Sequence, residues 1–360
     1  MSRLELHLGD CLHTMRGMAD NSVDLILTDP PYFKVKDEPW DNQWAKPQQF
    51  LAWLDTVLQE FQRILKPNGS IYLFASPQMA TRVETLIAQR FDVLNSIRWY
   101  KESGWHRKQR KEDLRTYLQP WEAVLFAEHR GAELFEPKGQ PGYRGELDKL
   151  KAKTFAPLRA YMDGELQRSG LDKHEVNKLM GFAPSGMASS RYFGSSQWQL
   201  PTATHYESMR AVMRQHGDAA DSLPMDYADV RAQFDALQAD FDRSAAALEY
   251  LRRPFAVTAE TPHTDLWTFA PVQPYAGKHP CEKPAAMLEH IITASTRPGA
   301  VVFDAFMGTG STGIASVKLG RNFIGCEMAA HHFADSQQRI ADAMPQPAND
   351  NAVCNHAAAA

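Results

Sequence analysis

Short apolar runs alternate with amphipathic helical segments at both ends of this chain, and between those ends the alternation stops. "RLELHLG" and "VDLILTD" read as strands. "QQFLAWLDTVLQEFQRIL" repeats Phe50, Leu51, Leu54, Leu58, Phe61 and Leu65 at helical spacing. "KPNGS" is expected to break that helix ahead of a strand, "IYLFA". "QMATRVETLIAQR" is a further helix, and "VLNSIRWYK" and "AVLFAEH" are strands. Toward the C-terminus, "EKPAAMLEHIITAS" and "STGIASVKLG" read as helices, "AVVFDAF" and "NFIGCE" as strands. Such repetition calls for an α/β fold with a Rossmann-like, doubly wound, mostly parallel sheet. The two ends must then meet in space for one sheet to close.

From about Leu134 to Thr264 the chain is polar and helical, with glycine stops after "FAPLRAYMDGELQRSG", "DKHEVNKLMG" and "HYESMRAVMRQHG". Tyr227, Phe234, Phe241 and Leu248 recur in a heptad-like seam. The seam suits either a homodimer or a helix packed on its own domain. The expected organisation is 1–133 as one half of the α/β domain, 134–264 as a helical insertion, 265–345 as the other half, and 346–360 as a disordered tail.

Composition narrows the partners. The 360 residues carry a net charge of −4 with a pI near 6.4, so no global basic field points to a polyanion, although a local basic face suffices. No apolar run approaches membrane-spanning length, and "MSRLELHLGD" lacks a signal peptide's apolar core. Cys11, Cys281, Cys326 and Cys354 have no paired metal-ligand spacing and read as reduced thiols, so no metal site and a cytoplasmic location are expected.

Two short stretches carry the chemistry. In "ILTDPPYF", Pro30 and Pro31 cannot continue a sheet ladder. They fix Asp29 and Tyr32 at the carboxyl end of a buried strand, where open α/β sheets bind ligands. The plain alternative is a rigid loop with a capping aspartate. In "VVFDAFMGTGSTGIAS", Gly308, Gly310 and Gly313 mark a strand-to-helix turn that lets a ligand approach backbone N–H groups. Glu327 ends the next strand, placed to bond ribose hydroxyls. Asp304 would repel a pyrophosphate yet suit a sulfonium, and no second glycine turn is apparent, which argues against NAD. S-adenosylmethionine fits: its ribose for Glu327, its positive charge near Asp304, its carboxylate for Lys283 or the Ser311–Thr312 helix start, with Phe306 in the same turn.

Taken together, "TDPPYF", "HPCEKP" and "FDAFMGTGST…IGCE" resemble the amino-methyltransferases of DNA, in the motif order of their β class. The likeness covers roughly Leu6 to Glu128 and His279 to Ala343, and implies the fold of methyltransferases that use S-adenosylmethionine. "GDCL" resembles the family's segment near the cofactor adenine, which makes Asp10 and Cys11 binding candidates; Asp10 equally suits a turn. The implied substrate is an exocyclic amine in double-stranded DNA, whose lone pair is delocalised into the ring. Acceptors on both N–H groups, the Asp29 carboxylate and the Pro30 carbonyl, would free that pair for attack on a sulfonium methyl. Tyr32 would stack on a base flipped from the duplex, with Phe33 in support. Aspartate at position 29, where serine is usual in cytosine-N4 members, favours adenine N6. Cytosine-N4 methylation, methylation of a protein amide, and a DNA-binding regulator with an inactive pocket remain the alternatives.

DNA contacts are expected from "KESGWHRKQRKEDLR", with Trp105, Arg107, Lys108, Arg110 and Lys111. A helix–glycine–helix layout from Leu166 to Phe193 resembles a helix-turn-helix and equally fits a plain helical hairpin. Lys173, His174, Asn177, Ser189, Arg191 and Gln197 are its candidate contacts.

Overall fold

The computed structural model describes residues 3–35, 37–102, 110, 112, 114–132, 137–183, 186, 191–193, 198–258, 262–273, 275 and 281–344. The chain forms two compact units: one from the segments up to Gln140 and from Arg253 onward, the other from Pro141–Arg252.

In the first unit the described strands are β1 (Leu4–Leu8), β2 (Val23–Thr28), β3 (Leu65–Ala75), β4 (Phe91–Tyr100), β5 (Trp121–His129), β6 (Leu266–Trp267), β7 (Val301–Asp304) and β8 (Asn322–Glu327). They form one sheet in the order β1-β8-β7-β2-β3-β5-β4-β6. β5 runs antiparallel to both neighbours, and every other pairing is parallel. The two ends of the chain meet where β2 pairs with β7, Leu25 opposite Val302 and Ile26 opposite Phe303. The helices, numbered along the chain, are α1 (Cys11–Gly17), α2 (Pro47–Ile64), α3 (Ala80–Ile87), α4 (Tyr143–Thr154), α5 (Ala156–Ser169), α6 (Lys173–Leu179), α7 (Ala203–His216), α8 (Tyr227–Ala246), α9 (Ala285–Ser295), α10 (Ser311–Lys318) and α11 (Ala330–Ala343).

Side chains alternate across a strand, so β2 feeds both faces of the sheet: Ile26 packs with Leu54, Phe61 and Phe303, while Leu25 and Leu27 pack with Met287, Ile291 and Val302. α2 buries Phe50, Leu54, Val57, Leu58, Phe61 and Ile64 as one stripe. Pro47 opens the helix, and the Gln49 Oε1 accepts the Lys46 N–H at 3.1 Å. α2 ends at Ile64, ahead of "KPNGS" as expected, and β3 begins directly after it at Leu65. Its pairing with β2 jumps from Val23 opposite Leu65 to Leu25 opposite Ser70, so Lys66 to Gly69 form an irregularity in that ladder. Lys66 pairs with Asp24 at 2.8 Å, and a Cβ on Gly69 would meet the Leu65 side chain at 2.5 Å and the Asp24 carbonyl at 3.0 Å. Local turn chemistry persists here as a break in the pairing with β2.

The second unit is helical, with a core of Phe155, Leu158, Met162, Tyr206, Met209, Met213 and Val230. The seam expected from Tyr227 onward packs within this unit. Phe234 stacks on Phe155 with ring centroids 5.2 Å apart, Phe241 lies 5.8 Å from the same ring, and Tyr227 lies 5.7 Å from Tyr206. Gly170 ends α5 with φ 71°, and the Asp172 Oδ1 caps α6 by accepting the His174 and Glu175 N–H groups at 2.7 and 2.8 Å. Lys173 and His174 are exposed. Asn177, read as a DNA contact, is buried and donates to the Ala183 carbonyl of its own unit. Among the described residues no helix is long and apolar enough to cross a membrane.

Candidate active site

The carboxyl ends of β2, β7 and β8 open onto a cavity of about 740 Å³. Asp29, Pro30, Pro31 and Tyr32 line it, and so do Asp10, Cys11, Lys283, Asp304, Phe306, Gly308, Ser311, Thr312 and Glu327. Sequence-distant stretches thus share one wall. Gly310, the remaining candidate, shapes the turn from behind. Its φ is 84°, and a Cβ there would come within 2.9 Å of Ile340 on α11.

Asp29 follows β2 directly, and its two oxygens differ. Oδ2 accepts from Lys283, whereas Oδ1 is buried and has no hydrogen-bond partner among the described residues. Burial raises the Asp29 pKa, and the Lys283 ammonium opposes that rise. Among the described residues no hydrogen bond reaches the Pro30 carbonyl. The loop beyond is held by Asp41, which was not a sequence candidate. Asp41 is fully buried and accepts the Tyr32 N–H at 2.5 Å and the Val35 N–H at 2.7 Å. Its clamp carries the chain through positive φ at Phe33 (62°) and Lys34 (61°), and Phe33 packs on Phe50 with centroids 5.9 Å apart.

Lys283 is placed differently from the expectation. Its ammonium faces Asp29 and the Tyr32 hydroxyl, 3.1 Å away, and lies 4.8 Å from the centre of the Phe74 ring. The carboxylate it bonds here is that of Asp29. Glu122, on β5, completes this cluster: its Oε2 accepts the Tyr32 O–H at 3.0 Å and its Oε1 pairs with Lys101. Nothing in "PWEAVLF" sets that glutamate apart from an ordinary strand-start acid.

At the other end of the cavity, Asp304 ends β7. Burial pushes its pKa up to about 6, against the bonds it accepts from Thr312, Thr28 and the Phe306 N–H. The Glu327 carboxylate accepts the Gly308 N–H at 2.9 Å and the Ala329 N–H at 2.8 Å, so it holds the turn itself. Each of its oxygens keeps a lone pair for a further donor. Asp10 caps α1, accepting the Leu12 N–H at 2.7 Å, which is the turn role the sequence also allowed. Cys11 is buried, and burial raises its thiol pKa. At the start of α10, Glu282 accepts from Arg339 at 2.7 Å and lies 3.5 Å from the Ser311 hydroxyl. Of the expected DNA contacts, Arg110, Lys173 and Arg191 are exposed, while Trp105, Arg107, Lys108 and Lys111, with Ser189 and Gln197, lie outside the described residues.

The model of the N6/N4 DNA methylase family matches residues 23–338. The chain belongs to that family. It is 23% identical over 333 residues to the DNA adenine methyltransferase YhdJ of Escherichia coli K12, an alignment covering 92% of this chain and 81% of that one. It is 40% identical over 79 residues to the type II methyltransferase M2.DpnII of Streptococcus pneumoniae, covering 21% of this chain and 30% of the relative. Among solved structures, the cytosine-N4-specific PvuII DNA methyltransferase superposes with a TM-score of 0.51 at 14% identity, over 94% of this chain and 86% of that one. The M1.HpyAVI–SAM complex gives 0.47 at 17% identity, over 94% and 98%.

The methyl donor of this DNA methyltransferase is S-adenosylmethionine, and the cavity suits such a cation. Among the described residues six carboxylates line it, Asp10, Asp29, Glu38, Glu282, Asp304 and Glu327, against the single ammonium of Lys283. Trp53 and Phe306, with ring centroids 5.7 Å apart, give an apolar wall suited to a purine.

Proposed function

We propose that the enzyme methylates the N6 amine of adenine in double-stranded DNA, taking the target base out of the stack. The observation that carries this reading is the buried Oδ1 of Asp29, which no described residue bonds, set beside Pro30 on the same cavity wall as the glycine turn. Leaving a buried acceptor without a donor costs about 1–3 kcal/mol, more for a charged one, and an amine N–H relieves that cost. With the Pro30 carbonyl as the second acceptor, the amine is drawn toward pyramidal geometry and its lone pair is freed. The donor supplies a methyl on positively charged sulphur. As the N–C bond forms and the C–S bond breaks, the positive charge passes to the amine nitrogen, where Asp29 stabilises it, and a proton then leaves. Extruding a base costs a few kcal/mol, and stacking on Tyr32 returns about 1–3 kcal/mol of it.

Adenine is favoured because a carboxylate, not a hydroxyl, stands at position 29, and because the relative YhdJ, matched over most of both chains, is named an adenine methyltransferase. DNA contacts are assigned to the exposed cations Arg110, Lys173 and Arg191, with the helical unit Pro141–Arg252 as the recognition part. The seam of α8 is spent on its own unit, which favours a single chain over a homodimer. Incubation with labelled S-adenosylmethionine and duplex DNA, then digestion to nucleosides, tests the reading. N6-methyladenine is expected. N4-methylcytosine would overturn the base, label in protein alone the substrate class, and no transfer to diverse DNA the enzymatic reading as a whole.

A further inference from the structure

We propose that Glu122 is a positioning residue for methyl transfer: it holds the Lys283 ammonium and the Tyr32 hydroxyl in place and offsets the lysine's charge, so that Asp29 presents net negative charge to the amine. This rests on the methyl-transfer reading above. The topology makes the contact. β5 is the antiparallel strand, so its first residues lie at the edge where β2, β3 and β4 end, and Glu122 pairs with Trp99 in the ladder. Glu122 Oε2 stands 3.0 Å from the Tyr32 hydroxyl and 3.5 Å from the Lys283 Nζ, and its Oε1 takes Lys101, which follows β4. Lys283 in turn donates to Asp29, to the Tyr32 hydroxyl at 3.1 Å and to the Cys281 carbonyl at 3.3 Å. Its side chain is 8% exposed, and its ammonium lies 5.2 and 4.8 Å from the centres of the Tyr32 and Phe74 rings.

Methyl transfer places a positive charge on the amine nitrogen beside Asp29. An ammonium bonded to Asp29 would by itself cancel most of what that carboxylate offers. Glu122 is the buried countercharge that offsets it; the second ammonium on Glu122, that of Lys101, is the more exposed of the two and is screened more by solvent. Among the described residues, the groups facing the amine site are Asp29 and Tyr32 after β2, Lys101 after β4, Glu122 on β5, Cys281 and Lys283 before α9, and Asp304 at the end of β7. Burial works against charge on both partners, yet Lys283 and Lys101 hold Glu122 down at about 2, and Asp29 and Glu122 push the Lys283 pKa up. The pair stays ionised across the working range of pH.

The test uses the full chain, duplex DNA and S-adenosylmethionine, with unfolding temperature and cofactor affinity measured for every variant. Glu122→Gln keeps the side-chain shape and the acceptor for Tyr32. It is expected to lower kcat on the order of 10²-fold, with cofactor affinity unchanged. Because the Glu122 charge raises the Asp29 pKa, the acid limb of its kcat profile should move to lower pH even as the rate falls. Glu122→Gln combined with Lys283→Met removes the uncompensated ammonium and should transfer methyl faster than Glu122→Gln alone. A double variant that folds and binds cofactor yet is no faster than the single variant overturns the proposal; should Glu122→Gln fail to fold, a folded double variant with no transfer does the same. An unmoved acid limb also overturns it. Wild-type protein that methylates no DNA under these conditions would instead overturn the reading beneath.

Discussion

Thr28, the last residue of β2, donates its hydroxyl to Asp304, the last residue of β7, at 2.8 Å. The same oxygen accepts the Ala305 N–H at 3.1 Å. Residues 276 positions apart in the chain are thereby joined at the junction of its two ends, beneath the cavity that both supply. Thr28→Val keeps the shape and removes both bonds. The Ala305 N–H loses its side-chain acceptor and the Asp304 carboxylate a donor, so a loss of about 2–4 kcal/mol is expected in denaturant unfolding at neutral pH. A loss below about 0.5 kcal/mol, the range of an ordinary surface substitution, would show that this bond does not tie the halves together.

Asp304 sets a pH dependence with a definite sign. Its folded pKa, about 6, lies above the ordinary 3.8, so the folded protein holds this proton more tightly than the unfolded chain does. The group's contribution to stability is full below about 3.8 and is lost as pH rises through 6, a swing of about 3 kcal/mol. Asp304→Asn should flatten that part of the stability curve. A bound cation favours the ionised form, so affinity for S-adenosylmethionine should fall as pH drops below about 6, while affinity for the uncharged-sulphur product S-adenosylhomocysteine should not. Calorimetric titration of both ligands at pH 5 and pH 8 reads the difference. Parallel pH dependence for the two would place the charge away from Asp304.

Much of this was legible where the signal is local. Val23 to Leu27 speak through their apolar run, Pro30 and Pro31 through what proline forbids, and Gly308 and Gly310 through a turn other residues resist. The meeting of β2 with β7 followed from the need to close one sheet. What stayed hidden acts at a distance. Glu122 stands 90 residues from Tyr32, and Lys283 lies 254 from Asp29, so only the fold reveals which acid each cation serves. β6, two residues long, has too little pattern to announce itself. The "KPNGS" stretch ends α2 as its composition says, and its turn residues interrupt the ladder with β2.

Asp41 is the hidden residue with the largest expected structural effect. Its carboxylate takes two backbone N–H groups of the Tyr32 loop and is fully buried. Asp41→Ala would strip the acceptors from both, at about 1.5–3 kcal/mol for each charge-assisted bond, and release a loop held at positive φ. Methylation should fall by at least tenfold while secondary structure persists, with Asp41→Asn milder because its amide oxygen still accepts one bond. Circular dichroism paired with the methylation assay checks this. Full activity in the alanine variant would mean that the prolines alone fix Tyr32.

Asp29 can be separated from its neighbours by choosing the substitution with care. Asp29→Ala leaves the Lys283 ammonium buried without the carboxylate it bonds, a loss of about 3–5 kcal/mol that would confuse folding with chemistry. Asp29→Asn keeps the shape and an oxygen for Lys283 but no longer offers the amine a charge. It should lower kcat by about 10²–10³-fold and leave cofactor affinity nearly intact, because Asp304 and Glu327 hold the other end of the cavity. Single-turnover transfer and equilibrium binding of S-adenosylmethionine, measured on the same folded preparation, decide the matter. If affinity collapses together with the rate, the carboxylate belongs to cofactor binding, and the amine must find its acceptor elsewhere on the wall.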